Sequence, residues 1–273
     1  MTVKKLYSRT GQLQRESHYR AKKSLGQNFL TDANIVRKII EALQLSESSS
    51  VLEIGPGRGA LTSMIAESGC TLQAVEKDSD LYAYLSDRLK DTPNVRLIHG
   101  DFLQVSFPTS LARMKVVGNI PYNLTSEIVS RVVDERRNID FAVIMVQEEV
   151  AQRLAADVGT KQYGALSVRL QLVAEVEKLF RVSRNCFEPR PNVDSRVVKI
   201  TFKDRNPLEN EKDFVRFVKL AFSMRRKMFR HFTTHFFGKE SVALLDPRFL
   251  TNRVETFGPA DIYSIFKILR NHV

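Results

Sequence analysis

Two patterns of hydrophobic and polar positions alternate along most of the chain. Short apolar runs have the length and β-branched content of buried strands, and five of them are SVLEI, TLQAVE, NVRLIH, KVVGN and IDFAVIMVQ. Between several of them, apolar residues recur every three or four positions, as at Leu81, Leu85 and Leu89, which predicts amphipathic helices. The alternation of strands and helices predicts an α/β fold with a doubly wound, mostly parallel sheet.

The pattern changes near residues 203–210. Two further strands, EVEKLFRVS and SRVVKITF, are predicted just before this point, as a pair at one edge of the sheet. Beyond it only helical segments are predicted, namely KDFVRFVKLAFSMRRKMFRHF, ESVALL and PADIYSIFKILRNH. We therefore expect three parts: a basic N-terminal arm over residues 1–23, the α/β domain over 24–205 and a small all-α domain over 206–273.

The charge of the chain favours a polyanionic partner. Its 273 residues include 42 Lys and Arg against 31 Asp and Glu, which gives a formal net charge of +11 and a pI near 9.7. The excess lies at the two ends, with 7 basic residues against 1 acidic residue over 1–23 and 12 against 7 over 207–273. A basic surface that serves only solubility is the alternative. We expect both ends to bind a phosphate backbone.

Other features of the composition bear on location. The hydrophobic content of 43% is ordinary for a globular protein, and no apolar run approaches the ~18 residues of a membrane-spanning helix. Cys70 and Cys186 match no metal-ligand spacing and fit a reducing cytoplasm. The N-terminal arm lacks the apolar core of a secretory signal. An organellar transit peptide is the weaker interpretation of that arm, because it contains Glu16 and little serine.

A glycine-rich turn predicts a binding site for a ligand that contains a nucleoside. Gly55, Gly57 and Gly59 follow the first strand, where glycine lets the backbone approach a ligand closely. Glu76 ends the second strand, a position that suits hydrogen bonds to a ribose diol in either a nicotinamide dinucleotide or S-adenosylmethionine. The Gly-x-Gly-x-Gly spacing departs from the dinucleotide fingerprint and so argues against a nicotinamide dinucleotide. Asp101 follows the third strand, where its carboxylate can accept a hydrogen bond from an adenine amino group. The alternative is that Asp101 only caps a turn. We expect S-adenosylmethionine.

The fourth strand ends on a second motif, GNIPYN. Asn119 should face the same edge of the sheet as the cofactor residues, and its carboxamide oxygen and the Ile120 carbonyl can accept hydrogen bonds from an exocyclic amino group. Pro121 stiffens the loop, and Tyr122 offers a face for base stacking. The alternative is a plain turn into a helix. We interpret the motif as the site where a purine amino group is aimed at a methyl donor, without a metal.

Five motifs together resemble the ribosomal RNA adenine dimethyltransferase family. They are KKSLGQNFLTD, EIGPGRGALT, NIPYN, FEPRPNVDS and FSMRRKMFRHF, and they occur in the family's order from Lys22 to the carboxyl end. The resemblance implies a Rossmann-like S-adenosylmethionine-dependent methyltransferase with a small helical domain that binds RNA. It is strongest for the branch that dimethylates N6 of two adjacent adenosines in a hairpin loop near the 3′ end of small-subunit rRNA.

The resemblance also implies roles for individual residues. Asn28 and Leu30 would close over the cofactor, while Asn119 would bridge the cofactor and the target amine. Phe187 would form the second aromatic face against the base, opposite Tyr122, although a core aromatic beside a proline-rich turn is the alternative. The remaining cofactor contacts would be Gly55, Gly57, Glu76 and Asp101.

RNA contacts are expected from basic side chains near the carboxyl end. On one long helix, Arg226 and Arg230 would share a face. Phe222 and Phe229 of the same helix are predicted to point to the core of the domain. The proposed RNA-binding residues are Arg190, Arg225, Arg226, Lys227 and Arg230, with a solvated basic face as the alternative.

The expected setting is a monomer that acts in ribosome biogenesis on a pre-30S-type particle in the cytoplasm, away from membranes. Two alternatives stay open for this setting: a resistance-type methylase of large-subunit rRNA and a non-catalytic ribosome-assembly factor that keeps the fold. A nicotinamide oxidoreductase is a remoter alternative, because the glycine spacing and NIPY argue against it.

Overall fold

The structure is a computed structural model that describes residues 21–22, 25–107, 113–203 and 208–270. The predicted N-terminal arm lies outside the described residues except for Ala21 and Lys22. No helix in these ranges is long and apolar enough to cross a bilayer.

The described residues form nine strands and ten α-helices. The strands are β1 (Phe29–Leu30), β2 (Ser50–Ile54), β3 (Thr71–Glu76), β4 (Val95–His99), β5 (Met114–Asn119), β6 (Ile139–Gln147), β7 (Ala174–Val182), β8 (Phe187–Glu188) and β9 (Ser195–Phe202). The helices are α1 (Ala33–Leu43), α2 (Ala60–Glu67), α3 (Ser79–Leu89), α4 (Thr125–Asp134), α5 (Glu148–Leu154), α6 (Ala165–Val173), α7 (Glu211–Ser223), α8 (Phe229–Phe237), α9 (Pro247–Leu250) and α10 (Pro259–Arg270).

Seven strands form the central sheet in the order β4-β3-β2-β5-β6-β9-β7. Strands β2 to β6 are parallel, and β9 runs antiparallel to β6. In the parallel register Ile54 lies opposite both Val75 and Gly118, so β2, β3 and β5 end at the same edge of the sheet. The predicted α/β fold with a mostly parallel sheet is confirmed. The sheet order reverses beside β2, and a ligand crevice is expected there.

The core of this part is built from strand residues that are buried on both faces. Val51, Leu72 and Val117 are inaccessible to solvent in one apolar cluster, which Phe187 also joins from β8. Each such side chain stabilises the fold by about 1.5–3 kcal/mol through its removal from water. A second, two-stranded sheet of β1 and β8 was not predicted, because each strand has only two residues and its partner lies far along the chain.

The chain divides into two compact units, and the division corrects the expected domain limits. The first unit runs to Ala151 and resumes over Glu177–Phe202, whereas Gln152–Val176 belongs with Lys203 and the residues after it. The reason is burial. Ala156, Tyr163 and Val168 lie in the apolar core of the helical unit, where the buried Tyr163 hydroxyl donates to the Phe257 carbonyl at 3.0 Å.

The prediction of one long basic helix over residues 212–232 is wrong, because the helical unit contains two helices there. Helix α7 ends at Ser223 and α8 begins at Phe229, with a turn between them. The turn is held from outside the segment: Arg225 pairs with Glu255 at 2.6 Å, and the Phe229 N–H donates to the Asn252 carbonyl at 2.8 Å. These contacts replace the helical hydrogen bonds that the continuous pattern implied.

Candidate active site

A cleft of about 250 Å³ opens at the edge where β2, β3 and β5 end. All of its lining residues belong to the first unit. They include these residues predicted from the sequence: Asn28, Leu30, Gly55, Gly57, Glu76, Asp101, Asn119, Ile120, Pro121 and Tyr122. The convergence follows from the parallel register, because the carboxyl ends of neighbouring parallel strands meet at one edge.

Glu76 is fixed at the cleft by two backbone donors. The Gly57 N–H donates to one carboxylate oxygen at 3.0 Å and the Asp78 N–H donates to the other at 2.9 Å. The side chain is only 5% exposed, and burial raises its pKa above the ordinary value. Each oxygen keeps lone-pair capacity for a further donor, so the carboxylate can accept hydrogen bonds from a diol.

The glycine turn leaves space that a side chain would fill. Gly55 and Gly57 both have positive φ angles, of 64° and 59°. A Cβ on Gly55 would meet nothing within 4 Å, whereas a Cβ on Gly57 would lie 3.1 Å from the Phe29 ring. Gly55 and Glu76 both line the cleft. A cradle of bare backbone beside a carboxylate fits the ribose and amino-acid parts of S-adenosylmethionine.

Asp101 carries an ion pair that the sequence analysis missed. The Lys77 ammonium donates to Asp101 at 2.8 Å, and the Leu103 N–H donates to its other oxygen at 2.9 Å. The hydrogen bond from Lys77 is the main reason why the pKa of Asp101 lies below its usual value. The residue thus caps a turn, the alternative noted from the sequence, and also lines the cleft with a negative charge.

Asn119 projects from the end of β5 with its amide nitrogen engaged. Its Nδ2 donates to the Asn28 carbonyl at 2.7 Å. This contact fixes the rotation of the carboxamide, and the side-chain oxygen remains the group that can accept a hydrogen bond from a ligand. Backbone contacts hold the neighbouring residue, since the N–H of the buried Ile120 donates to the Met145 carbonyl at 3.0 Å.

Tyr122 is held at its phenolic end. It lies in a short 3₁₀ helix, Tyr122–Leu124, directly after Pro121, and its hydroxyl hydrogen-bonds the Ser195 hydroxyl at 2.7 Å. Ser195 is fully buried in β9, and burial is also the main reason why the pKa of Tyr122 is raised. The sequence analysis missed Ser195, although it stands in the quoted motif FEPRPNVDS. The ring therefore has a fixed place at the cleft.

Phe187 is buried outside the lining of this cleft. The side chain is 4% exposed and belongs to the buried cluster of the first unit, and the residue is not among those that line the cleft. It pairs with Leu30 in the β1–β8 sheet. Its burial agrees with the alternative of a core aromatic, and its role as the second aromatic face against the base stays a prediction.

The predicted RNA-binding residues differ in their surroundings. Arg225 is engaged inside the helical unit by Glu255 and by the Lys161 carbonyl, and its contact with RNA stays a prediction. Arg226, Lys227 and Arg230 are exposed, and none of them forms an ion pair within the described ranges. Arg190 is exposed in the first unit and lies outside the cleft.

Glu53 is a further cleft residue that the sequence analysis missed. It is 1% exposed, it accepts a hydrogen bond from the Thr62 hydroxyl at 2.7 Å, and burial raises its pKa to about 8. The carboxyl group is therefore mostly protonated at neutral pH. A signal was present in the sequence, because Glu53 is the acidic residue of an otherwise apolar strand, SVLEI.

Similarity to known proteins agrees with this geometry. The profile of the family described as ribosomal RNA adenine dimethylase matches residues 18–271. A ribosomal RNA small subunit methyltransferase A of Chlorobium phaeobacteroides is 43% identical over 91% of this chain and 94% of its own length. The corresponding protein of Chlorobaculum parvum is 46% identical over 78% of this chain and 77% of its own length.

Two solved structures share the fold over most of the chain. A dimethyladenosine transferase from Plasmodium falciparum is 25% identical with a TM-score of 0.80, covering 89% of this chain and 98% of that one. The 23S rRNA methyltransferase ErmE is 28% identical with a TM-score of 0.69, covering 89% and 100%. Together with the cleft, these findings identify the chain as a member of the ribosomal RNA adenine dimethylase family, whose methyl donor is S-adenosylmethionine.

Proposed function

We propose that the protein dimethylates N6 of two adjacent adenosines in a hairpin loop near the 3′ end of small-subunit rRNA. It acts as a monomer on a pre-30S-type particle in the cytoplasm and serves ribosome biogenesis. The small-subunit assignment is supported by the names of relatives that are 43% and 46% identical. The observation that carries the chemistry is the Asn119 carboxamide, whose nitrogen is held by Asn28 while its oxygen is left for the target amine.

Each of the cofactor residues would contact a different part of the methyl donor. Of the residues that line the cleft, Glu76 would accept hydrogen bonds from the ribose hydroxyls, Asp101 would accept one from the adenine amino group, and the Gly55 backbone would lie against the cofactor. Asn28 and Leu30 cover it from the β1 side. When bound, S-adenosylmethionine supplies an electrophilic methyl group on a sulfonium.

Asn119 prepares the nucleophile. The lone pair of an adenine amino group is delocalised into the ring, so the nitrogen is planar and weakly nucleophilic. Two acceptors, the Asn119 side-chain oxygen and the Ile120 carbonyl, take hydrogen bonds from the two amino hydrogens and favour a pyramidal nitrogen. Its lone pair would then be available to the methyl group. The N–CH3 bond would form as the S–CH3 bond of the donor breaks and leaves a neutral thioether, and the resulting acidic ammonium would lose its proton to water.

Tyr122 supplies the stacking face for the adenine that leaves the loop. Base stacking on an aromatic ring contributes about 1–3 kcal/mol, and the bond to Ser195 keeps the ring in place without further ordering. The RNA backbone is bound by the exposed cations Arg190, Arg226, Lys227 and Arg230.

The test is methyl transfer from labelled S-adenosylmethionine to purified, unmodified ribosomal subunits. We expect the Asn119→Ala variant to bind the cofactor but to lose about a hundredfold in kcat, the size typical of a hydrogen-bonding group that acts in the transition state. Asn185→Ala, an exposed asparagine of the same unit, is the matched control and should keep full activity.

Three results of these assays would contradict the proposal. Full turnover by Asn119→Ala would refute the mechanism. Preference of the wild-type protein for the large subunit would favour the activity named for ErmE. Binding of RNA with no affinity for the cofactor by calorimetry would indicate an assembly factor without catalysis.

A further inference from the structure

A short segment closes one side of the cofactor cleft. We call Lys22 together with Leu25–Leu30 the strap. Leu25 to Leu30 all line the cleft. The carboxyl end of the strap is β1, whose Phe29 and Leu30 pair with Glu188 and Phe187 of β8. The other end is attached to the start of α3.

The attachment centres on the buried carboxylate of Asp78. Its Oδ1 accepts a hydrogen bond from the Lys22 ammonium at 3.0 Å, and its Oδ2 accepts one from the Gln27 amide at 3.1 Å. The exposed carboxylate of Asp80 also accepts a hydrogen bond from the Lys22 ammonium, at 2.8 Å. The Asp78 side chain is inaccessible to solvent. The Lys22 N–H also donates to the Gln27 side-chain oxygen at 2.8 Å, so the two donors from the strap are held in one arrangement.

Asp78 has a local task as well. Its Oδ1 caps α3 by accepting hydrogen bonds from the N–H groups of Asp80 and Leu81 at 2.9 and 3.4 Å. An exposed N-cap would satisfy the helix equally well. Burial of the carboxylate costs free energy unless charged or polar donors compensate it, and Lys22 and Gln27 are such donors. The burial therefore serves the strap rather than the helix.

The strap continues to the catalytic amide. Gln27 is followed by Asn28, whose carbonyl accepts the hydrogen bond from Asn119 Nδ2 at 2.7 Å. On its other side Asp78 donates its N–H to Glu76 at 2.9 Å. One residue is thus connected to the ribose-binding carboxylate directly and to the methyl-transfer site through the strap.

We propose that Asp78 is a positioning residue that holds the strap against the cofactor and, through Asn28, sets the orientation of the Asn119 carboxamide. This role rests on the proposed function and adds to it a residue that touches neither cofactor nor base. Two consequences follow. Loss of the attachment weakens cofactor binding, and it lowers the turnover rate even when the cofactor is saturating.

Isosteric exchanges test the attachment. Asp78→Asn keeps an oxygen for the helix cap but turns an amide donor towards the Gln27 amide donor. Gln27→Glu instead brings a second carboxylate against Asp78. The double variant Asp78→Asn/Gln27→Glu restores a donor facing an acceptor and leaves the number of negative charges around Lys22 as in wild type, because Asp80 is unchanged. Asp87→Asn is the matched control, because it removes the same charge from the exposed face of α3.

We expect each of the two single variants to raise the Kd for S-adenosylmethionine about tenfold by calorimetry, the size of one lost hydrogen bond to a charged group. Each should also lower kcat on unmodified small subunits at saturating cofactor. The double variant should return to within about threefold of wild type in both quantities, and Asp87→Asn should not differ from wild type. Lys22→Met, which leaves the cap intact, replaces Asp78→Asn if thermal denaturation shows that variant to be unfolded.

Three results would overturn the proposal: wild-type affinity in both single variants, a double variant no better than the weaker single variant, or a raised Kd with an unchanged kcat. A wild-type protein that binds no S-adenosylmethionine refutes the proposed function instead, and the two failures are therefore distinguishable.

Discussion

At the scale of single residues, the cleft contains carboxyl groups in opposite electrostatic states. Asp101 is paired with Lys77 and has a lowered pKa, whereas Glu53 is buried and has a raised one. Burial is the largest cause for Glu53, and the nearby Glu76 raises its pKa further. The mostly neutral Glu53 therefore adds little charge to the cleft, whereas Asp101 contributes a negative charge.

The state of Glu53 predicts a pH effect on stability. A carboxyl whose folded pKa is about 8 instead of 4.5 remains protonated in the folded chain while the unfolded chain ionises. Its contribution to stability is complete below pH 4.5 and declines as pH rises towards about 8. The free energy of unfolding of wild type should fall relative to that of Glu53→Gln across this window, by up to about 1.4 kcal/mol for each unit of the shift.

The measurement is urea denaturation of both proteins over a series of pH values. The Gln side chain still accepts the hydrogen bond from Thr62, so packing is matched between them. Parallel curves for the two proteins would mean that Glu53 ionises normally.

At the scale of elements, the turn between β2 and α2 combines two kinds of glycine. Gly57 lies against the Phe29 ring of β1, so its missing side chain makes room for the protein itself. Gly55 faces open space, so its missing side chain makes room for a ligand. Both have positive φ, and only the surroundings distinguish them.

This difference predicts the behaviour of Gly55→Ala. Its φ of 64° costs an alanine about 1–2 kcal/mol of stability, and the added methyl group occupies open space at the lining of the cleft. Gly159→Ala is the matched control, since Gly159 has a φ of 84° and open surroundings in the other unit. The two variants should lose similar stability by thermal denaturation.

Calorimetry with S-adenosylmethionine should separate the two glycine variants. Binding should weaken at least tenfold for Gly55→Ala only, because a methyl group there would occupy space that the cofactor needs. Equal affinities in the two variants would show that the space at Gly55 is not used by the cofactor.

The strand ends were predictable from the sequence, and the long-range pairings were not. Asn119 and Glu76 could be placed at one edge of the sheet for two reasons. The local hydrophobic pattern shows which residue ends each strand, and neighbouring parallel strands end at the same edge. Phe187 could not be placed in this way, since its burial depends on pairing with Leu30, far away in the chain. The break between α7 and α8 depends likewise on Glu255, whose contact with Arg225 leaves no trace in the hydrophobic pattern of that segment.

At the scale of the whole molecule, charge separates into paired and exposed sets. Several basic side chains are neutralised locally, as Arg196 is by Glu148 and Arg184 by Asp194. The turn before α8 differs, because Arg226, Lys227 and Arg230 are exposed there. Their positive charge is available to a polyanion.

We expect that replacing these three cations changes the salt dependence of RNA binding. The triple variant Arg226→Ala/Lys227→Ala/Arg230→Ala should bind small-subunit RNA more weakly and with a shallower dependence on salt, by about 0.7–0.9 in logarithmic slope for each lost phosphate contact. Cofactor affinity should stay unchanged. Filter binding over a range of salt concentrations gives the slopes.

The matched control removes the same charge from other exposed positions of the helical unit, namely Lys212, Lys219 and Lys239. We expect a smaller change of slope for this control than for the first triple variant. Equal slopes in the two triple variants would assign binding to overall charge rather than to the turn before α8.

The contribution of Gln152–Val176 to the helical core has a consequence for how this chain can be divided. Tyr163 and Val168 are fully buried against residues that follow Lys203. A gene shortened at the end of β9 would encode these side chains without the partners that cover them. Recombination at one junction therefore cannot exchange the helical unit alone between relatives, because three crossovers are needed to carry a complete core: one before Gln152 and one on either side of Glu177–Phe202.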